Sequence, residues 1–121
     1  MRNVKIAAIQ MQCSTNLQTN LEKAEKMVRQ AAGDGAQIIL LPELFEREYF
    51  CQQRRYDFYH LAKPVEENDA VQMGMRLAKE LNVVLPISFY EQDINTLYNS
   101  IACIDADGTL SGVYRKTHIP D

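Results

Sequence analysis

The sequence lacks long apolar runs and clusters of basic residues. No apolar stretch approaches the roughly 20 residues that a helix needs to cross a bilayer, so we predict no membrane segment. Thirteen basic residues against 16 acidic ones give a net charge of −3. The pair Arg54-Arg55 is too short for a nucleic-acid footprint. These absences exclude membrane and nucleic-acid partners, and the amino terminus enters a strand pattern without a signal peptide.

Cysteine and histidine are scarce. Three cysteines, Cys13, Cys51 and Cys103, are an odd number without a CxxC spacing, which excludes a disulfide framework or a zinc knuckle. His60 and His118 are too few and too far apart in the sequence for a metal site. We therefore predict no metal, no cofactor and a reducing, cytoplasmic compartment. In the simplest interpretation the thiols pack as small buried hydrophobic groups, with Cys103 in the core.

What the sequence has is an ordinary globular composition, with 121 residues that are 46% hydrophobic and 24% charged. Five apolar runs predict strands, the first two of them buried on both faces. Pro86 is a mild objection to a central place for the third strand. The predicted strands cover residues 4–10, 37–41, 83–90, 99–105 and 110–116.

Two amphipathic helices separate these strands. The first begins at Asn16 or, if a capping box at Thr19 is used, one turn later, and it ends near Gly33. The second begins at Asn68 or Asp69. The order strand, helix, strand predicts a parallel crossover, and an Asp-Gly turn makes the last two strands an antiparallel hairpin. The fold class is therefore α/β.

Two charged residues stand where predicted strands end. Glu43 directly follows the second strand, at the carboxyl end where open α/β sheets bind ligands. Burial there would raise its pKa toward the range of a general base, although a solvated loop glutamate is an equal alternative. Lys116 ends the fifth strand, either as an ordinary strand-end lysine or as a fixed cation that stabilises an oxyanion.

Two segments together resemble a known family. Residues 41–45 (Leu-Pro-Glu-Leu-Phe) and 114–120 (Tyr-Arg-Lys-Thr-His-Ile-Pro) resemble the first two signature blocks of the nitrilase superfamily of carbon–nitrogen hydrolases. The first strand and the Tyr-Asn-Ser segment at 98–100 also fit. The resemblance implies part of a four-layer αββα sandwich, a mixed sheet with helices on one side. It also implies that residues 1–121 are the amino-terminal portion of one hydrolase domain.

The resemblance implies a mechanism as well. A thiolate attacks an amide or ureide carbon and forms a covalent intermediate. The residue matching Glu43 is the general base, and the residue matching Lys116 stabilises the tetrahedral oxyanion. The family's nucleophilic cysteine and a second glutamate match positions beyond Asp121, so we expect the 121-residue chain alone to be inactive. Cys51 has a plausible position near Glu43, but its surroundings resemble a family loop rather than the nucleophile segment.

Within the superfamily, residues 43–51 and 83–89 are similar to the N-carbamoylputrescine amidases, which release putrescine, ammonia and carbon dioxide. The expected partner is a small-molecule amide or ureide, and the complete protein is expected to be a homodimer or larger homo-oligomer. Ureidopropionase-like and omega-amidase-like enzymes are the alternatives within the superfamily. A non-catalytic binding domain is the alternative outside enzymes.

The irregular segment from residue 44 to 64 is rich in aromatic and charged side chains. Long excursions of this kind are more often functional than idle. Its candidate substrate contacts are Tyr49 and, for a cationic polyamine tail, the carboxylates of Glu46, Glu48 and Asp57.

Overall fold

The computed structural model describes residues 1–47 and 62–118, which form five strands and two α-helices. In chain order the strands are β1 (Ile6–Ala8), β2 (Ile38–Leu40), β3 (Leu85–Asp93), β4 (Thr96–Ile104) and β5 (Leu110–Arg115). The helices are α1 (Leu17–Gly33), between β1 and β2, and α2 (Asp69–Leu81), which follows a short 3-10 turn at Val65–Glu67 and precedes β3.

The strands of the described residues form a two-stranded sheet, β1-β2, and a three-stranded sheet, β3-β4-β5, and only β4 runs against the others. β1 and β2 pair in parallel, while β3 with β4 and β4 with β5 form antiparallel hairpins. A parallel bridge between Ile38 and Val84 joins β2 to the segment that leads into β3. The predicted parallel pair and the last hairpin are therefore confirmed. Because β2 and β5 point the same way, their carboxyl ends lie at the same edge.

Pro86 explains why β2 and β3 pair over so short a length. The Val84 N–H donates to the Gln37 carbonyl, and the Ile39 N–H donates to the Val84 carbonyl. The next N–H in this parallel ladder belongs to residue 86, and proline has none. Pro86 is still paired on its other side, where it lies opposite Cys103 of β4. A central strand therefore accepts the proline at the point where one of its ladders stops.

Both helices begin at an asparagine. The Asn16 side chain accepts a hydrogen bond of 2.9 Å from the Thr19 N–H, and the Asn68 side chain accepts one of 2.9 Å from the Val71 N–H. Each bond satisfies an N–H that has no partner within the helix and stabilises it by about 1 kcal/mol. Asn16 is therefore the cap rather than Thr19, and Asn68 rather than Asp69. Neither of the two helices in the described ranges is long and apolar enough to cross a membrane.

The core lies between the helices and one face of the sheet. Alternate side chains of β3 point into it, as the two-residue period of a strand requires. Burial of each such aliphatic or aromatic side chain contributes about 1.5–3 kcal/mol. The largest fully buried apolar side chains of this core are Val28, Ile39, Val71, Leu77, Leu85, Ile87, Phe89 and Ile104, with Phe45 from the loop after β2.

The face opposite the helices is exposed at β1 and β2, which corrects the expectation that these two strands are buried on both faces. The side chains of Ile6 and Leu40 are 73% and 45% exposed, whereas Ile39 between them in the pairing is fully buried. In the part of the chain that the structure describes, the helices cover one face of these strands only. β1 and β2 therefore carry more apolar side chains than the helices on one face bury.

The described cysteines are not core residues. Cys103, expected in the core, is exposed, because Ala102 and Ile104 on either side of it point toward the helices. Cys13 is half-buried, and burial raises the pKa of its thiol against the opposing charge of Lys23. Cys51 lies outside the described residues.

Gly74 is a point of close approach between α2 and the sheet. A Cβ atom there would lie 2.7 Å from Cγ1 of Ile87 and 2.8 Å from Cδ1 of Ile104. We expect Gly74→Ala to lower the free energy of unfolding by about 1–3 kcal/mol through overpacking, although alanine favours helix by about 1 kcal/mol. Gly33→Ala is the control, because a methyl group added there would meet nothing within 4 Å. Chemical denaturation compares the two, and equal stability would contradict the expectation.

Candidate active site

The loop of residues 41–47 carries Glu43 out of the end of β2. The neighbouring side chains Leu41, Leu44 and Phe45 are buried and fix the loop to the core. Leu44 has a φ of 52°, a left-handed conformation that costs a residue with a side chain about 1–2 kcal/mol. Its N–H donates to the Ser88 hydroxyl of β3 over 2.8 Å. The strained turn directly after Glu43 is therefore held by packing and by a buried hydrogen bond.

Glu46 ties the same loop to both helices. Its two carboxylate oxygens accept hydrogen bonds from the Ala70 N–H (3.2 Å) and the Asn68 amide (3.3 Å) at the start of α2. Its carbonyl accepts one from the Asn20 amide of α1 (2.7 Å). Burial raises the pKa of the Glu46 carboxyl, and the two hydrogen bonds to it act in the opposite direction. A carboxyl buried in this way does not suit contact with the cationic tail of a substrate.

Lys116 reaches Glu43 from the end of β5. Its backbone N–H donates to the Asn99 carbonyl (2.8 Å), which extends the pairing with β4 by one residue. Its Nζ donates to Oε1 of Glu43, also over 2.8 Å. The two side chains thus converge, as expected of groups that leave parallel strands at the same edge. Their chemical roles remain predictions.

Arg115 anchors the end of β5 on the other face of the sheet. Its guanidinium donates to both carboxylate oxygens of the buried Glu91 (2.9 and 3.2 Å) and to Asp93 (2.7 Å). It also lies 4.0 Å from the ring centroid of Tyr98. The hydrogen bonds from Arg115 to Glu91 hold the pKa of the Glu91 carboxyl below its usual range. Because successive side chains alternate, fixing Arg115 directs Lys116 toward the site.

Asn99 of β4 is a third polar member of the site, which the sequence alone does not indicate. Its side chain is 4% exposed, and its Nδ2 donates to Oε1 of Glu43 over 2.7 Å. That oxygen also accepts from Lys116. The available signal was the polar Asn-Ser pair at the start of an apolar run, because a buried amide requires partners. The sequence does not say that the partner is Glu43.

The pKa of the Glu43 carboxyl is lowered, which corrects the expectation that burial raises it. Partial burial does act to raise the pKa. The hydrogen bonds from Lys116 and Asn99, together with the positive charge of Lys116, outweigh this effect. The Glu43 side chain remains 42% exposed, so the burial is incomplete. Glu43 is therefore ionised at neutral pH and able to accept a proton.

A cavity of about 290 Å³ opens beside the ion pair. It lies on the face of the sheet that the helices leave open, and its walls are mostly apolar. A concave, largely apolar site with a few converging polar groups is typical of small-molecule binding. The apolar and aromatic lining residues are Leu40, Leu41, Ile101 and Tyr114, and the polar ones are Glu43, Ser88, Asn99, Ser100 and Lys116.

The other predicted contacts fall outside the described residues. Tyr49, Glu48 and Asp57 belong to this set, as does Cys51. No group of three or more histidine, cysteine, aspartate or glutamate side chains that could hold a metal occurs within residues 1–47 and 62–118.

The sequence and the fold of this chain are similar to those of known proteins. A family described as carbon-nitrogen hydrolase matches residues 5–121. The chain is 51% identical over 120 residues to the N-carbamoylputrescine amidase of Arabidopsis thaliana and 49% identical over 121 residues to a citrullinase of Francisella tularensis. These matches cover 99% and 100% of this chain but only 40% and 42% of those proteins. The crystal structure of a carbon-nitrogen hydrolase from Helicobacter pylori G27 superposes with a TM-score of 0.87 at 27% identity, covering 98% of this chain and 41% of that one.

Proposed function

The chain belongs to the carbon–nitrogen hydrolase family, and from this premise we propose that the complete protein hydrolyses the ureido group of N-carbamoylputrescine. The predicted family and α/β fold are confirmed by the family match and by the superposition. The observation that carries the proposal is the 2.8 Å contact between Glu43 and Lys116 beside an apolar cavity. Because the chain spans about two-fifths of the length of its relatives, the activity of the whole protein is a proposal.

Glu43 is the general base of the proposed reaction. It takes the proton of a cysteine thiol, which we propose to lie in the part of the domain that follows Asp121. The thiolate attacks the ureido carbon, and the carbon–nitrogen bond breaks as the proton passes from Glu43 to the leaving amine. Glu43 then takes a proton from water, whose oxygen attacks the carbamoyl carbon of the intermediate. The carbon–sulfur bond breaks, the proton passes from Glu43 to the sulfur, and the released carbamic acid decomposes to ammonia and carbon dioxide. The ionised state of Glu43 suits the first step.

Lys116 is the proposed electrostatic group. Attack on the carbonyl carbon places negative charge on its oxygen, and a fixed ammonium stabilises that charge most where water is partly excluded. The apolar walls around Lys116 and the 35% exposure of its side chain provide such surroundings. The ammonium also keeps Glu43 ionised before the reaction begins.

The ureido group is the substrate feature best supported. Relatives at about 50% identity include N-carbamoylputrescine amidases and a citrullinase, and both names refer to compounds with a terminal ureido group. They differ in the tail, because citrulline carries a carboxylate as well as an ammonium group. We also propose a cytoplasmic location and a homo-oligomeric assembly for the complete protein.

Substrate competition tests the proposal in the complete gene product. We expect kcat/KM for N-carbamoylputrescine to exceed that for citrulline and for N-carbamoyl-β-alanine by at least about tenfold, because their carboxylates would replace or accompany the cationic tail. Ammonia release measures all three. A preference for N-carbamoyl-β-alanine or for a dicarboxylic acid monoamide would move the protein to another branch of the family. Activity on none of them would favour a binding domain.

A further inference from the structure

Asn99 bonds to both members of the ion pair. Its side-chain Nδ2 donates to Oε1 of Glu43 over 2.7 Å, and its carbonyl accepts the Lys116 backbone N–H over 2.8 Å. It does so from the interior of β4, whose two neighbours in the sheet are β3 and β5. One residue of a doubly paired strand therefore connects the loop that carries Glu43 with the strand end that carries Lys116.

The two donors to Glu43 converge on one oxygen. Both Asn99 and Lys116 donate to Oε1 of Glu43. Within the described ranges, no side chain donates a hydrogen bond to Oε2. We propose that Asn99 is a positioning residue, which holds Oε1 of Glu43 so that Oε2 faces the cavity as the oxygen that exchanges protons. This inference rests on the proposed role of Glu43 as the general base.

Lys116 alone is poorly suited to fix the carboxylate. Its ammonium is a point charge on a flexible four-carbon stem, and its side chain is 35% exposed. Asn99 is buried, and its side chain has only two rotatable bonds, so little conformational freedom is left to it. Two donors from different strands also restrict the rotation of the carboxylate, which a single donor does not. The amide thus supplies rigidity where the lysine supplies charge.

The amide also separates two tasks that the lysine cannot perform at once. When the Lys116 ammonium turns to the developing oxyanion, its hydrogen bond to Glu43 is weakened or lost. The Asn99 bond to Oε1 then keeps the Glu43 carboxyl in place while Oε2 holds the thiol proton through the same step. A neutral donor suits this task because it adds no second positive charge to compete for the oxyanion.

The inference is tested with Asn99→Ala and the isosteric Asn99→Asp in the complete gene product. We expect Asn99→Ala to lower kcat by about 10–100-fold, the size of effect that a misplaced reacting group produces, with little change in KM. The pKa of Glu43 rises in both variants, because one loses a donor and the other adds a negative charge beside the carboxylate. The acid limb of the kcat/KM profile therefore moves to higher pH, further for Asn99→Asp.

Titration of the Glu43 carboxyl carbon by NMR reads the same change without turnover, so it decides the matter even if the protein hydrolyses no amide and the proposed function fails. Asn16→Ala is the control, because the Asn16 side chain caps α1 by accepting the Thr19 N–H. It should lower the melting temperature and leave the Glu43 titration unchanged. If Asn99→Ala does not fold, Asn99→Asp provides the same readout. An unchanged Glu43 titration in the folded Asn99 variant would reduce Asn99 to a structural residue and overturn the inference.

Discussion

Glu43→Gln should lower kcat/KM of the complete protein by about 10²–10⁴-fold, the range that general acid–base catalysis contributes. Glutamine keeps the shape of the side chain and an oxygen that accepts the bonds from Lys116 and Asn99. It cannot take a proton from a thiol or from water. The ion pair is partly exposed, so its loss should change the free energy of unfolding by no more than about 1 kcal/mol. Steady-state kinetics and thermal denaturation measure the two quantities.

Glu67→Gln is the matched control, because Glu67 is an exposed glutamate of the turn before α2. It should keep the activity of the unchanged protein.

In the protein without substitutions, activity should persist to a pH below the ordinary pKa of glutamate, since the pKa of Glu43 is lowered and the base is lost only when the carboxylate is protonated. Full activity of Glu43→Gln would remove Glu43 from the mechanism.

Lys116→Ala should lower kcat by about 10²–10³-fold, as the removal of an oxyanion donor does. A second effect follows from the ion pair. Lys116 lowers the pKa of Glu43, so its removal should raise that pKa and shift the acid limb of the kcat/KM profile to higher pH. Lys116→Arg should restore the position of the acid limb better than it restores kcat, because a planar guanidinium retains the charge but not the geometry of an ammonium.

Lys26→Ala provides the comparison for this variant, because Lys26 is an exposed lysine of α1. It should alter neither kcat nor the pH profile. The oxyanion role would be refuted if Lys116→Ala retained kcat and shifted only the acid limb. Lys116 would then act only through the ionisation of Glu43.

The sequence predicts most of the strands and both helices, because their apolar periodicity and asparagine caps are local signals. It does not predict the hairpin between β3 and β4. The two residues that connect these strands are Ile94 and Asn95, and Ile94 has a φ of 55°. Two-residue hairpin turns are normally predicted from glycine or asparagine at positions of positive φ, and a β-branched residue there does not predict a turn. β3 consequently extends to Asp93, beyond the predicted end at Tyr90.

The site is predicted in part for a similar reason. The meeting of Glu43 and Lys116 follows from strand directions, which a pattern of elements can indicate. The lowered pKa of Glu43 depends on how many donors reach Oε1, and this number is set by side-chain conformations that the sequence does not reveal. The sequence also does not reveal the role of Asn99, because only the paired strands of the structure show that its amide lies beside Glu43.

The long separation along the chain between the paired charges has a consequence for the order of folding. Glu43 and Lys116 are 73 positions apart, whereas β3, β4 and β5 each pair with the next strand in sequence. Adjacent strands close short loops and lose little entropy when they meet, so we expect the three-stranded meander to form early. We expect the ion pair to form only after β2 has docked beside Val84 and has brought its following loop against β3. Glu43 would then meet Lys116 late in folding, when most of the surrounding core has formed.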